Sequence, residues 1–237
     1  MANTVNLETS DGAMALYDVE PEAHAIGAVI VIQEAFGVND HIEDVTRRFA
    51  AEGYRSVSPH LFHRTGDPVL DYQDIDKVMP HMGALSEAGL LADLDVTLDF
   101  LTQQGFANTS IGVVGFCMGG SVTFLAAARY RLGAAVTFYG GGVSEGRFGM
   151  PSLVDLAKDL KTPWLGLFGD LDKGIPVEQV ELLRSAAGRA AGPAEIVRYA
   201  EAEHGFHCDA RPSYHEPSAR DGWRRTLDWF AEFLDKV

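Results

Sequence analysis

Short apolar runs that alternate with helix-period segments constrain this chain more than any other feature. "GAVIVIQ" at 27–33 is continuous and β-branched, as a strand buried on both faces requires. "VNDHIEDVTRRFAAEG" at 38–53 then sets Ile42, Val45 and Phe49 at helical spacing, with Asn39 or Asp40 as cap and Gly53 as stop. The alternation continues, with strands expected at 54–59, 109–117, 133–140, 163–169 and 194–200 and helices at 86–105, 118–130 and 176–190. Residues 60–86 read as a long irregular excursion holding one helix, and "GGVSEGRFGMPS" as a glycine-rich loop. The last segment, 217–237, is an amphipathic helix with Trp223, Leu227, Phe230 and Leu234 on one face. Strand–helix repetition of this kind implies an α/β fold, a mostly parallel sheet with helices on both faces. The 237 residues suit one such domain, 1–237.

Charge narrows the possible partners. Asp and Glu number 34 against 19 Lys and Arg, a net charge of −15, which disfavours phosphate backbones and anionic lipid. Neither nucleic acid nor membrane is expected as a partner. The N-terminal stretch lacks a basic region followed by an apolar one, so no signal peptide is expected. No apolar run approaches the ~18 residues of a membrane span. Two cysteines, Cys117 and Cys208, suit free thiols in a reducing compartment, and the expected location is cytoplasmic.

In a parallel sheet the chemistry lies beyond the carboxyl ends of the strands. Cys117 lies there, in "GFCMG" at 115–119, the thiol form of the G-x-S-x-G elbow. Such a turn projects the nucleophile into a cleft, and its glycines permit close strand–helix contact. A helix starting at Met118 offers a free backbone N–H to an oxyanion, and Ala35 N–H offers a second. Cys117 could instead be a buried small residue or half of a disulfide with Cys208. Asp170 and Asp172 follow the strand at 163–169 and compete for the role of triad acid, with turn or cap duty as the plain alternative. Asp172, ahead of Pro176, is the expected acid. His204 follows the last strand, completing nucleophile–acid–histidine order, with His207 as its rival. Glu34 ends the strand at 27–33, as a cleft carboxylate or a helix-terminal charge.

With these residues placed, the chain resembles the dienelactone hydrolase family of the α/β-hydrolase fold. The carrying motifs are "QEAFGVN" at 33–39, "GFCMGG" at 115–120, "GDLDKGIP" at 169–176 and "AEHGF" at 202–206. The resemblance implies a sheet of about eight strands and hydrolysis of esters or lactones, the carboxymethylenebutenolidase reaction. It implies a small-molecule ester or lactone substrate, no metal or organic cofactor, and favours a monomer. It makes Cys117 the nucleophile, Asp172 the acid, His204 the base, and Glu34 an extra carboxylate that contacts the resting thiol. Such a carboxylate disfavours the thiolate until substrate displaces it. Phe36, His81 and Phe206 are the expected pocket residues.

One departure from the family pattern concerns substrate recognition. Family members that cleave dienelactone carry an arginine four residues past the triad histidine, where this chain has Cys208. "KVMPHMGAL" at 77–85 also lacks arginine, which leaves Arg64, Arg147 or Arg211 to take the role. Three other readings remain. A glutamine amidotransferase would share the elbow but needs a glutamate where Phe206 stands. A metal protein would use His60-x-x-His63 or His204-x-x-His207-Cys208. A non-catalytic binding protein would keep the fold without the chemistry.

Overall fold

The computed structural model describes residues 2–237. Its elements run β1 (Ala2–Thr9), β2 (Gly12–Val19), β3 (Ala28–Ile32), α1 (Asp40–Ala51), β4 (Arg55–Pro59), α2 (Ile75–Gly83), α3 (Glu87–Gln103) and β5 (Ile111–Phe116). They continue α4 (Met118–Arg129), β6 (Ala134–Phe138), α5 (Leu153–Leu156), β7 (Trp164–Gly169), α6 (Val177–Ala187), β8 (Ala194–Tyr199) and α7 (Glu216–Phe233). The strands form one eight-stranded sheet in the order β1-β2-β4-β3-β5-β6-β7-β8. All pairings from β4 to β8 are parallel, and the β1–β2 and β2–β4 pairings are antiparallel.

Every residue of β3, β5, β6 and β7 is buried, so the central sheet is covered on both faces and its strands need no polar alternation. The expected mostly parallel α/β sheet is what forms. The β1–β2 hairpin is the part that strand–helix alternation does not place. Strand β1 is an edge strand, mostly exposed, and carries little hydrophobic signal. Across β2 and β4, Asp18 takes both Arg55 Nε and Nη2, at 3.1 and 2.7 Å.

Two sequence expectations shift. The excursion at 60–86 contains α2 and a single 3₁₀ turn over His63–Thr65. In α7 the buried stripe is Gly222, Thr226, Trp229 and Phe230, while Trp223, Leu227 and Leu234 flank it partly exposed. Small residues at 222 and 226 bring the helix close to the sheet: a Cβ on Gly222 would stand 2.9 Å from the Phe138 ring. Among the described residues, no helix is long and apolar enough to cross a membrane.

Candidate active site

The site is built at the end of β5. Strand residue Phe116 passes directly to Cys117, and α4 begins one residue later. Cys117 adopts φ 55° and ψ −114°, a backbone region that a side chain tolerates only when the surroundings impose it. The imposition is visible. Cys117 N–H donates to Phe138 O at 3.1 Å, and Gly120 N–H and Ser121 N–H return to Cys117 O. The glycines on either side are required by close approach. A Cβ on Gly115 would collide with Gly119 O, one on Gly119 with Gln33 O, and one on Gly120 would stand 2.7 Å from Phe138 O. The elbow therefore lets α4 press against the ends of β3 and β6, and Cys117 is left part-exposed at the mouth of a cleft of about 480 Å³.

Asp172 and His204 reach the same cleft from two other strand ends. His204 Nδ1 and Asp172 Oδ2 are 2.6 Å apart, and Asp172 Oδ1 accepts Gly174 N–H at 2.8 Å. Asp172 is nearly fully buried, so the histidine ring is held by a fixed carboxylate. Asp170 is committed elsewhere, to Arg198 Nε and Nη2 at 2.7 and 2.8 Å. Burial by itself would push the His204 pKa down. The neighbouring Cys117 sulfur and the Asp172 hydrogen bond outweigh it, and the pKa rises from 6.5 to about 10. The imidazole next to the sulfur is thus disposed to hold a proton. His207 faces the other way. It is buried against Phe116 and Phe138, with ring centroids at 5.0 and 4.9 Å, and its pKa falls well below normal through burial.

Glu34 sits wholly buried after β3, and here the structure departs from expectation. Its Oε1 pairs with Arg211 Nη1 at 3.4 Å, and its Oε2 has no hydrogen-bond partner within the protein. The expected contact with the resting thiol is replaced by an ion pair, because a buried carboxylate needs a cation more than a neutral S–H. Arg211 in turn lines the cleft. Gly205 makes room for it: at φ 79°, any Cβ there would stand 2.6 Å from Arg211 Nη1. The glycine beside the catalytic-position histidine thereby admits a cation that the sequence offered only as one of three candidates. Arg64 is not available, being bound to Asp93 and Asp11.

Ala35 is buried in the turn after β3, next to Glu34. Met118 lines the cleft at the first position of α4, where its N–H has no intrahelical acceptor. The three expected pocket residues lie elsewhere. Phe36 is buried edge-on against Tyr72 at 4.6 Å, beneath Arg211. His81 turns its Nδ1 to Thr65 Oγ1 at 2.8 Å, and its neighbour Met82 faces the cleft instead. Phe206 is fully buried between Tyr139 and Tyr199. Sequence reading missed the walls Met82, from α2, and Phe148, Leu171 and Ile175, from loops that carry no periodic signal.

The proposed metal-like spacings are dispersed. His60 bonds Asp67 at 2.7 Å and His63 bonds Asp93 at 3.0 Å. Among the described residues, no three His, Cys, Asp or Glu side chains converge as a metal site. Cys208 is a buried free thiol that donates to Tyr72 Oη at 3.2 Å, and burial pushes its pKa up to about 11.

The chain is similar to known proteins over nearly its whole length. Residues 14–234 match the Dienelactone hydrolase family. A Salmonella typhimurium protein named "Putative carboxymethylenebutenolidase" is 42% identical over 240 residues, covering 99% of this chain and 88% of that protein. A Saccharolobus solfataricus protein of the same name is 31% identical over 252 residues, covering 91% and 93%. The crystal structure of "Putative Dienelactone Hydrolase from Klebsiella pneumoniae" superposes with a TM-score of 0.91 at 41% identity, covering 98% of this chain and 99% of that one.

Proposed function

Because the chain belongs to the dienelactone hydrolase family, we propose that it hydrolyses small carboxylic esters or lactones through an acyl-enzyme on Cys117. The observation that carries this reading is the 2.6 Å contact of His204 with buried Asp172, in the cleft that Cys117 enters from a strained elbow. His204 already holds the proton given up by the thiol, Asp172 orients the charged ring, and the sulfur attacks the carbonyl carbon. Met118 N–H and Ala35 N–H receive the oxyanion. The tetrahedral species collapses, the C–O bond breaks, and the leaving alkoxide takes the proton from His204; in a lactone the alkoxide stays tethered to the acyl chain. Water then attacks the thioester carbon and gives its proton to His204. The C–S bond breaks with its electron pair going to sulfur, the acid leaves, and His204 keeps the proton beside the sulfur as at the start.

Arg211 supplies what the family's missing arginine would supply. It lines the cleft with its guanidinium held by Glu34, so a substrate carboxylate competes with Glu34 for the same cation. In this reading Glu34 keeps Arg211 placed between turnovers, and His204 does the proton transfer. A panel of lactones and small esters, with and without a carboxylate, tests it against wild type and Cys117→Ser. Hydrolysis that depends on Cys117 and favours carboxylate-bearing members is the expected result. Equal turnover by Cys117→Ser would overturn it.

A further inference from the structure

The glycine-rich loop after β6 has no part in the chemistry above, yet it is shaped around one side chain. Arg147 lies along the backbone of Gly141 and Gly142. A Cβ on Gly141 would stand 3.0 Å from its Nη1 and 3.5 Å from its Cζ, and one on Gly142 would stand 3.3 Å from its Cγ. Gly142 also takes φ 74°, which favours glycine. The loop is fixed to the nucleophile's helix, since Ser121 Oγ donates to Gly141 O at 2.8 Å. Arg147 is therefore laid flat on a tethered wall of the cleft, although it is exposed to solvent.

Its guanidinium bonds no carboxylate among the described residues. Most arginines of the chain, among them Arg47, Arg55, Arg64, Arg129 and Arg198, do hold one; Arg48, Arg131 and Arg189 share the lack but do not line the cleft. Two carboxylates line the cleft, Asp172, which is committed to His204, and Glu203. Sheet order places the cations about the nucleophile. Glu34, which holds Arg211, follows β3; Cys117 follows β5; the Arg147 loop follows β6; and β3, β5 and β6 are consecutive in the sheet.

We propose that Arg147 is a specificity residue that receives a second anionic group, so that the substrate is a dicarboxylate-type ester or lactone, with one anion on Arg211 and the other on Arg147. The proposal rests on the hydrolase reading above for its chemistry, and on the cleft alone for its binding. A planar guanidinium supported by backbone presents paired N–H donors to a carboxylate at little further ordering cost.

Two measurements on wild type, Arg147→Gln and Arg147→Lys test it. The first is calorimetric titration at low salt with linear dicarboxylates from succinate to pimelate, each against the monocarboxylate of equal length. At least one dicarboxylate should bind wild type about tenfold tighter than its counterpart. That preference should vanish in Arg147→Gln and be partly kept in Arg147→Lys. Equal affinities in wild type, or a preference that survives Arg147→Gln, would overturn the proposal. The second is hydrolysis of a mono-p-nitrophenyl ester of tricarballylate, which keeps two free carboxylates, where Arg147→Gln should raise KM far more than it lowers kcat. A wild type that prefers dicarboxylates but cleaves no ester removes the hydrolase reading and keeps the anion site. A wild type that cleaves esters without any dicarboxylate preference removes the anion site alone.

Discussion

Glu34 Oε1 lies 3.4 Å from Arg211 Nη1, with the carboxylate wholly buried and the guanidinium facing the cleft. The pair is asymmetric: Arg211 retains access to water, and Glu34 has none. The two ends of the pair therefore respond differently to substitution.

Arg211→Gln strands a buried carboxylate and should lower stability by about 2 kcal/mol or more. Glu34→Gln leaves a cation that water can still reach, and should cost under about 1 kcal/mol. The double substitution should lie nearer to Glu34→Gln than to the sum. Urea unfolding of the four proteins decides the point. Equal costs for the two single variants would show that Glu34 is not held by Arg211.

The two aspartates after β7 should separate cleanly in kinetics. Asp172→Asn removes the carboxylate that fixes His204 and should lower kcat by about 10²–10⁴-fold. Asp170→Asn loosens Arg198 at the surface and should change kcat by less than about threefold. A larger loss at Asp170 would reassign the acid.

Protonation of His204 gives a pH signature. Its pKa in the folded protein is raised from 6.5 to about 10 against the burial that would lower it, with Cys117 the leading raising influence. A raised histidine pKa contributes stability that is fully present below about 6.5, the unfolded value, and is lost as pH climbs through about 10. Histidine-selective NMR should show His204 charged across neutral pH, while His41 and His207, both pushed down by burial, stay neutral there. Cys117→Ala should bring His204 back toward its ordinary range. Titration of wild-type His204 near 6.5 would contradict the arrangement.

Sequence reading reached these residues because a parallel sheet sends its loops to one edge: Cys117 directly follows β5, Asp172 lies in the loop after β7 and His204 in the loop after β8. Position along the chain marks these loops as candidates, but it does not choose between Asp170 and Asp172, since Asp170 is the one that directly follows β7. It was not enough for contacts made between loops. Glu34 and Arg211 are 177 residues apart, and their meeting depends on the left-handed turn at Gly205. His81 and Met82 are adjacent in α2, and only helix rotation decides which one faces the cleft. Phe206 follows the histidine motif but points into the core, where Tyr139 and Tyr199 pack on it. The β1–β2 hairpin escaped because it precedes the first strand–helix unit and pairs antiparallel, so no alternating helix marks it.

In the proposed reaction Cys117 carries the acyl group. Rapid acid quench of the protein with p-nitrophenyl acetate, followed by peptide mass spectrometry, tests it most directly. One acetyl group is expected on the peptide containing Cys117 in wild type, and none in Cys117→Ala. Acetylation at any other residue, or ester turnover with the thiol already blocked by iodoacetamide, would contradict it.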